Sequence, residues 1–241
     1  MESSSQTAAP ARSSDRVLVI MAKAPRPGMV KTRLASSFPV EVVTEFYRCL
    51  LDDTLALGRS LGGVELAVMC PRSDVDELSL LAGNGTRVVE QKGEGLAAGL
   101  SSVFAHFAEN QQHVIAFNSD SPHLPRSILE DSFAMLDSHD LVVGPTHDGG
   151  YYLVGAKTSH PLFSGDGMGT SSALDRLLFR ARSLGLSVGL ADHFYDIDVA
   201  DDLVRLAAEL RHSPARAPRT AAWLKEWGDA AAQLRTGTGD L

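Results

Sequence analysis

Three short charged stretches carry most of the chemistry that this sequence offers. Lys23-Ala-Pro-Arg26-Pro-Gly28-Met-Val-Lys31-Thr-Arg33 puts four cations within eleven residues. That is enough to concentrate positive potential where a polyphosphate would lie. Pro25, Pro27 and Gly28 keep the stretch out of a helix, and it reads equally well as a solvated basic connector. It is not a Walker A loop, in which Gly directly precedes the Lys. Asn118-Ser-Asp120-Ser-Pro-His-Leu-Pro125 holds a carboxylate in a proline-fixed loop. Tyr195-Asp196-Ile-Asp198 holds two more, at a spacing that turns both to one face of an extended segment. Carboxylates are the hard oxygen ligands that Mg²⁺ requires, and two forced together are unfavourable unless a cation lies between them. The competing reading makes Asp120 or Ser121 the cap of a helix after Pro125, and Asp198 the cap of one near Ala200.

Three further segments are rich in glycine and hydroxyl groups. Gln91-Lys-Gly93-Glu-Gly95-Leu-Ala-Ala-Gly99 is one residue too long for the dinucleotide fingerprint. It is either a turn opening a helix or a bare backbone that a base or ribose can approach. Gly144-Pro-Thr146-His-Asp148-Gly149-Gly150-Tyr151-Tyr-Leu-Val-Gly155 is either a plain hairpin or a tight turn presenting Thr146, Asp148 and Tyr151 to a small polar acceptor. Gly167-Met-Gly-Thr170-Ser171-Ser172 precedes a helix, where such residues cap the first turn and can also hold an anion. The eight histidines form no HxH or HxxxH pair, which argues against zinc.

These stretches must be positioned by the elements between them. Short β-branched or apolar runs suit strands at 17–21, 64–70, 86–90, 113–118, 141–144, 151–156 and 187–191. Helical periodicity covers 40–61, 96–109, 126–136, 171–184, 200–211 and 221–234. Alternation of this kind implies a mostly parallel sheet in a three-layer α/β/α sandwich, with ligands beyond the carboxyl ends of the strands. The charged stretches all follow such ends. Residues 1–15, rich in Ser, Ala and Pro, read as a disordered tail. Residues 16–212 read as the main domain, and 213–241 as a connector and last helix packed on it.

Composition bounds the function. The chain has 241 residues, 44% hydrophobic and 22% charged, which excludes a disordered or fibrous protein. A net charge of −8 argues against general nucleic-acid or anionic-membrane binding. The longest apolar run, Val17–Ala22, is six residues, too short to span a bilayer. The first residues lack a basic n-region and an apolar h-region, so no signal peptide is expected. Cys49 and Cys70 form no CxxC and read as two reduced thiols in a cytoplasmic protein.

In combination, four of these stretches resemble a bacterial family of GT-A-type transferases in the nucleotide-diphospho-sugar transferase superfamily. They are Met21–Leu34, Ser119–Pro125, Gly144–Gly155 and Asp196–Asp198, in that order. The family is similar to guanylyltransferases acting on phospholactate or phosphoenolpyruvate, and to molybdenum-cofactor nucleotidyltransferases. The resemblance implies a GT-A, Rossmann-like fold and a Mg²⁺-dependent nucleotidyltransferase, with Mn²⁺ as the other candidate ion. Ala22, Lys23, Gly28, Lys31, Arg33, Gln91, Gly93 and Gly95 would line an NTP, with Lys31, Arg33 and Asp120 catalytic. Asp120, Asp196 and Asp198 would hold the metal. Thr146, Asp148, Gly149, Gly150, Tyr151, Thr170 and Ser171 would face a small anionic acceptor. His147 and Met168-Gly-Thr depart from the family pattern, both on the acceptor side. The chain would be a monomer or homodimer. Two other readings are a glycosyltransferase using a nucleotide-sugar donor and an inactive nucleotide-binding module.

Overall fold

A computed structural model describes residues 14–108, 112–163 and 172–236. Seven strands form one mixed sheet: β1 (Arg16–Met21), β2 (Glu65–Cys70), β3 (Arg87–Glu90), β4 (His113–Asn118), β5 (Leu141–Pro145), β6 (Tyr151–Ala156) and β7 (Val188–Leu190). Their order is β3-β2-β1-β4-β6-β5-β7. Only β6 runs antiparallel to its neighbours. Six strands therefore end at one edge of the sheet, and β6 starts there.

Alternate residues of the buried strands enter two different cores, as a period of two requires. Leu18, Ile20, Val68, Ile115 and Phe117 face α1 (Val40–Ser60), α2 (Val75–Ala82) and α4 (Arg126–Met135). Val17, Val19, Met69, Val114 and Ala116 face α3 (Gly95–Phe107) and α5 (Ala173–Ser183). This is a three-layer α/β/α sandwich. Helix α2 has no counterpart among the helices expected from the sequence. At eight residues, it shows too few turns for its period to stand out.

A third core lies outside the sandwich, between α1, α6 (Ala200–His212) and α7 (Pro218–Thr236). Its aromatic contacts are Phe46 against Trp223 at 4.9 Å and Phe38 against Trp227 at 5.2 Å between ring centroids. The first turn of α7 is capped from α1, because the buried Asp53 carboxylate accepts the Thr220 N–H (2.8 Å) and hydroxyl (2.7 Å). The expected tail at 1–15 lies outside the described residues except for Ser14 and Asp15. The Asp15 carbonyl accepts the His113 N–H at 2.9 Å.

Candidate active site

Strands β1 and β4 are parallel neighbours, with Met21 opposite Asn118, so the loops that follow them leave the sheet side by side. One chain direction then continues toward β2 and the other toward β6. A crevice opens at such a divergence, where open α/β sheets bind their ligands.

The third core places the charged residues of that crevice. Val30 and Leu34 of the first loop are buried in it, and so are Tyr195 and Ile197 of the segment after β7. Lys31 lies between the first pair, and Asp196 and Asp198 flank Ile197, so the polar side chains turn away from the core toward the crevice. The β4 loop joins them through backbone. Ile197 N–H donates to the Asp120 carbonyl at 3.2 Å, and Ser121 Oγ donates to the Tyr195 carbonyl at 3.0 Å.

Oxygens of Asp120, Asp196 and Asp198 consequently lie within 4.8 Å of one another. Lys31 Nζ stands among them, 2.9 Å from Asp120 Oδ2 and 2.9 Å from Asp198 Oδ1. Arg33 Nη1 reaches the other Asp198 oxygen at 3.0 Å. The Lys31 side chain is 4% exposed, that of Arg33 63%. Burial opposes the Lys31 charge, but Asp120 and Asp198 together outweigh it and hold its pKa above the ordinary value. Asp198 is held low: burial opposes its charge, and Lys31 and Arg33 overcome that. Asp196 touches no cation directly among the described residues, and burial and the Asp198 charge push it up to about 6. The sequence alone sets three carboxylates against each other. In the structure that repulsion falls mainly on Asp196, because Lys31 and Arg33 pair with the other two.

Neither aspartate is a helix cap. Helix α4 starts at Pro125 with no side-chain cap, and Ser121 is engaged with Tyr195. The start of α6 is held by Asp202, whose Oδ2 accepts the N–H groups of Asp198 (2.9 Å) and Val199 (2.8 Å).

The other cations of the basic loop divide. Pro27 and Gly28 occupy the middle of a turn closed by Met29 N–H to the Arg26 carbonyl at 3.0 Å, with Gly28 at φ +73°. That is the residue pair a type II turn calls for. Arg26 faces away, paired with Asp74 (2.9 Å) and Glu77 (3.0 Å) around α2. The four-cation expectation is thus corrected to three at the crevice, because Arg26 fastens the loop. Lys23 is exposed and has no ionic partner among the described residues. Ala22 is buried, and its N–H bonds to Met69 at 3.1 Å.

The Gln91–Gly95 turn follows β3 at the same edge. Gly93 and Gly95 both have φ +80°, a conformation that suits glycine. Gly99, the third glycine of that motif, lets the helix close on its neighbours. A Cβ there would fall 2.6 Å from Met21 Cε and 2.9 Å from Gln91 Oε1. The turn is thereby held beside the end of β1.

The Gly144–Gly155 segment makes a hairpin between β5 and β6. Asp148 Oδ1 accepts from Thr146 Oγ1 and from the Gly150 N–H, and Gly149 has φ +88°. Burial pushes the Tyr151 hydroxyl up to about 12. The Gly149 carbonyl accepts the Leu174 N–H at 3.0 Å, fixing the turn to α5. Thr170 and Ser171 lie outside the described residues.

Comparisons with known proteins bear on the fold. The model of a family described as "Uncharacterized protein conserved in bacteria (DUF2064)" matches residues 54–170. No curated protein matches the chain. A Desulfovibrio desulfuricans G20 protein named as a nucleotide-diphospho-sugar transferase superposes with a TM-score of 0.83 at 26% identity, over 91% of this chain and 98% of that one. The fold is that of the GT-A-like nucleotidyl- and sugar-transferase superfamily. Two less similar structures share the fold. One is a nucleotidyl transferase from Methanothermobacter thermautotroptrophicus, with a TM-score of 0.57 at 17% identity over 82% and 99% of the chains. Another is the 4-diphosphocytidyl-2C-methyl-D-erythritol synthase of Anaerococcus prevotii DSM 20548, with 0.56 at 12% over 83% and 98%. Among the described residues of this GT-A-like chain, no helix is long and apolar enough to cross a membrane.

One participant has no signature in the sequence. Tyr47 of α1 is buried, and its hydroxyl accepts the Lys23 N–H (3.2 Å) and shares a hydrogen bond with Ser119 Oγ (3.0 Å). Burial, with the Asp120 charge behind it, pushes its pKa up to about 12, so it remains a neutral clamp between the two loops. Along α1 it reads only as one more core aromatic, since its partners are 24 and 72 residues away.

Proposed function

We propose that this crevice is the phosphoryl-transfer centre of a metal-dependent nucleotidyltransferase acting on an NTP and a small phosphate- or phosphonate-bearing acceptor. The observation that carries this reading is the convergence of Lys31, Arg33, Asp120, Asp196 and Asp198 where β1 and β4 diverge. The donor set fits Mg²⁺ or Mn²⁺: three carboxylates, all oxygen, at a position that already accommodates a cationic ammonium. Bound there, such an ion would neutralise charge on the transferring phosphoryl group.

The protein's own contribution is alignment and charge. Lys31, Arg33 and Lys23 face the triphosphate and offset its charge as pyrophosphate leaves. The Gln91–Gly95 turn receives the base, where bare backbone permits close approach. An acceptor phosphate oxygen is already ionised at neutral pH, so it attacks the α-phosphorus without a strong general base. That agrees with a site rich in Lys, Arg and Asp.

A second reading, a glycosyltransferase with a nucleotide-sugar donor, is favoured by the name of the 26%-identical Desulfovibrio protein. Incubating the purified protein with each NTP, Mg²⁺ and a panel of phosphorylated and phosphonate acids separates the two. Pyrophosphate release supports nucleotidyl transfer. Turnover only with nucleotide-sugars supports the second reading, and no turnover with either supports an inactive binding module.

A further inference from the structure

The Lys31 ammonium holds the two carboxylates that a divalent ion at this site would need. It is 2.9 Å from an oxygen of each, and Arg33 takes the remaining oxygen of Asp198. Its backbone is fixed in an unusual state: φ is +47°, in the left-handed region that residues with a Cβ occupy at a cost. Val30 and Leu34, buried on either side, and the Ala35 N–H bonded to the Lys31 carbonyl at 3.1 Å secure that conformation. Lys31 is therefore a built-in cation, unlike a mobile surface lysine. With Arg33 it leaves the three carboxylates only one formal negative charge in excess, a weak attraction for a free divalent ion. Phosphates alter that balance, since they offer the lysine and arginine another anionic partner.

We propose that Lys31 is the resident cation of this site, competing with the divalent ion for Asp120 and Asp198 and releasing them when nucleotide phosphates take the ammonium. The metal is then held together with nucleotide and only weakly before it. This rests on the metal-site reading above, and the test distinguishes failure of either.

Mn²⁺ alone is titrated into the nucleotide-free wild type, Lys31→Met and Arg33→Gln, followed by water-proton relaxation and by the metal-induced change in Tm. Lys31→Met is expected to bind Mn²⁺ at least roughly tenfold tighter than wild type, because a buried like charge beside the site is gone. Arg33→Gln, exposed and so not expected to disturb folding, should bind roughly threefold tighter. It keeps the test decisive if Lys31→Met does not fold. Adding Asp198→Asn to either variant should weaken its binding again. Equal Mn²⁺ affinity in all three proteins would overturn the role of Lys31 and leave the metal site standing. Absence of Mn²⁺ binding in every variant would overturn the metal site itself. Tight binding that survives Asp198→Asn would place the ion elsewhere and overturn both.

Discussion

Asp198 and Asp148 look alike in the sequence. Each lies beyond a strand end, near small or apolar neighbours, at the edge of the sheet where ligands bind. The structure uses them differently. Asp148 is held by groups two residues away on either side, Thr146 Oγ1 and the Gly150 N–H, so its carboxylate shapes its own turn. Asp198 meets Lys31 and Arg33 across 167 and 165 residues of chain, while the helix start beside it is held by Asp202. A carboxylate with local partners stabilises a local conformation. One with distant cationic partners depends on the whole fold and stays available to exchange them. That contrast separates a structural turn from a candidate catalytic centre.

The largest expected effect breaks the distant set. Asp120→Asn and Asp198→Asn should each cut kcat by roughly a hundredfold or more, the scale of a lost transition-state electrostatic contact. Asp148→Asn should change it by less than about fivefold, because its hydrogen bonds are internal to the turn. A hundredfold loss at Asp148 with Tm unchanged would place it on the acceptor and erase the contrast. The sequence alone suggests that Asp198→Asn is neutral or stabilising without metal. Because Lys31 is buried against Asp198, the variant should instead lose about 1–2 kcal/mol, a figure reduced for partial exposure. Chemical denaturation in EDTA gives the sign.

Lys31→Ala and Arg33→Ala should each weaken NTP binding by roughly tenfold or more, as charge-assisted phosphate contacts imply. Calorimetric titration measures this. Their stabilities should diverge. Arg33 is exposed, so its removal should leave Tm nearly unchanged. Removing Lys31 leaves two carboxylates facing each other, and Tm should fall by several degrees. Equal Tm for both variants would mean that the ammonium is not held as described.

His123, three residues beyond Asp120, is a buried polar group with neither a local nor a distant hydrogen-bond partner among the described residues. It packs against Phe194 (4.7 Å) and Tyr195 (4.6 Å), and both ring nitrogens lack partners among the described residues. Burial, aided by Arg205 and Arg216, lowers its pKa to about 3. The unfolded chain takes up the proton first as pH falls, so stability present above pH 6.5 is lost between there and the folded value. At pH 5 the loss is about 2 kcal/mol. His123→Phe should remove that dependence, flattening Tm between pH 7.5 and 5. An unchanged slope would show that His123 is not buried as a neutral ring.

Smaller effects are expected in the turn and the tail. Gly149→Ala forces a Cβ into φ +88° and should cost about 1–2 kcal/mol with kcat nearly unaltered. A chain beginning at Ser14 should keep both Tm and turnover, since the deleted composition offers no apolar face to bury. Loss of either would show that the tail contributes to the fold or the site.

Much of the layout is legible in residue patterns. The runs at 113–118 and 151–156 coincide with β4 and β6 at both ends, because buried strands bounded by polar turns announce their limits. The Asp-x-Asp spacing gives a common face because Ile197 between the two must be buried. Less legible is anything that depends on distant pairing. Arg26 looks like its fellow cations, and only α2, too short for its period to register, shows that Asp74 and Glu77 hold it. Tyr47 is hidden by the apolar rhythm of α1. The position of Lys31 between Asp120 and Asp198 follows from the third core, which is assembled from the first loop, α1, the segment after β7, α6 and α7.

On the proposed reading this charged cluster transfers a nucleotidyl group with the help of a divalent ion. Pyrophosphate release from NTP and an anionic acceptor, followed through chelation and metal add-back, tests it most directly. EDTA should abolish release, and Mg²⁺ or Mn²⁺ should restore it in the wild type and fail to do so in Asp120→Asn. Turnover that continues undiminished in EDTA, or that Asp120→Asn supports at the wild-type rate, would contradict the claim.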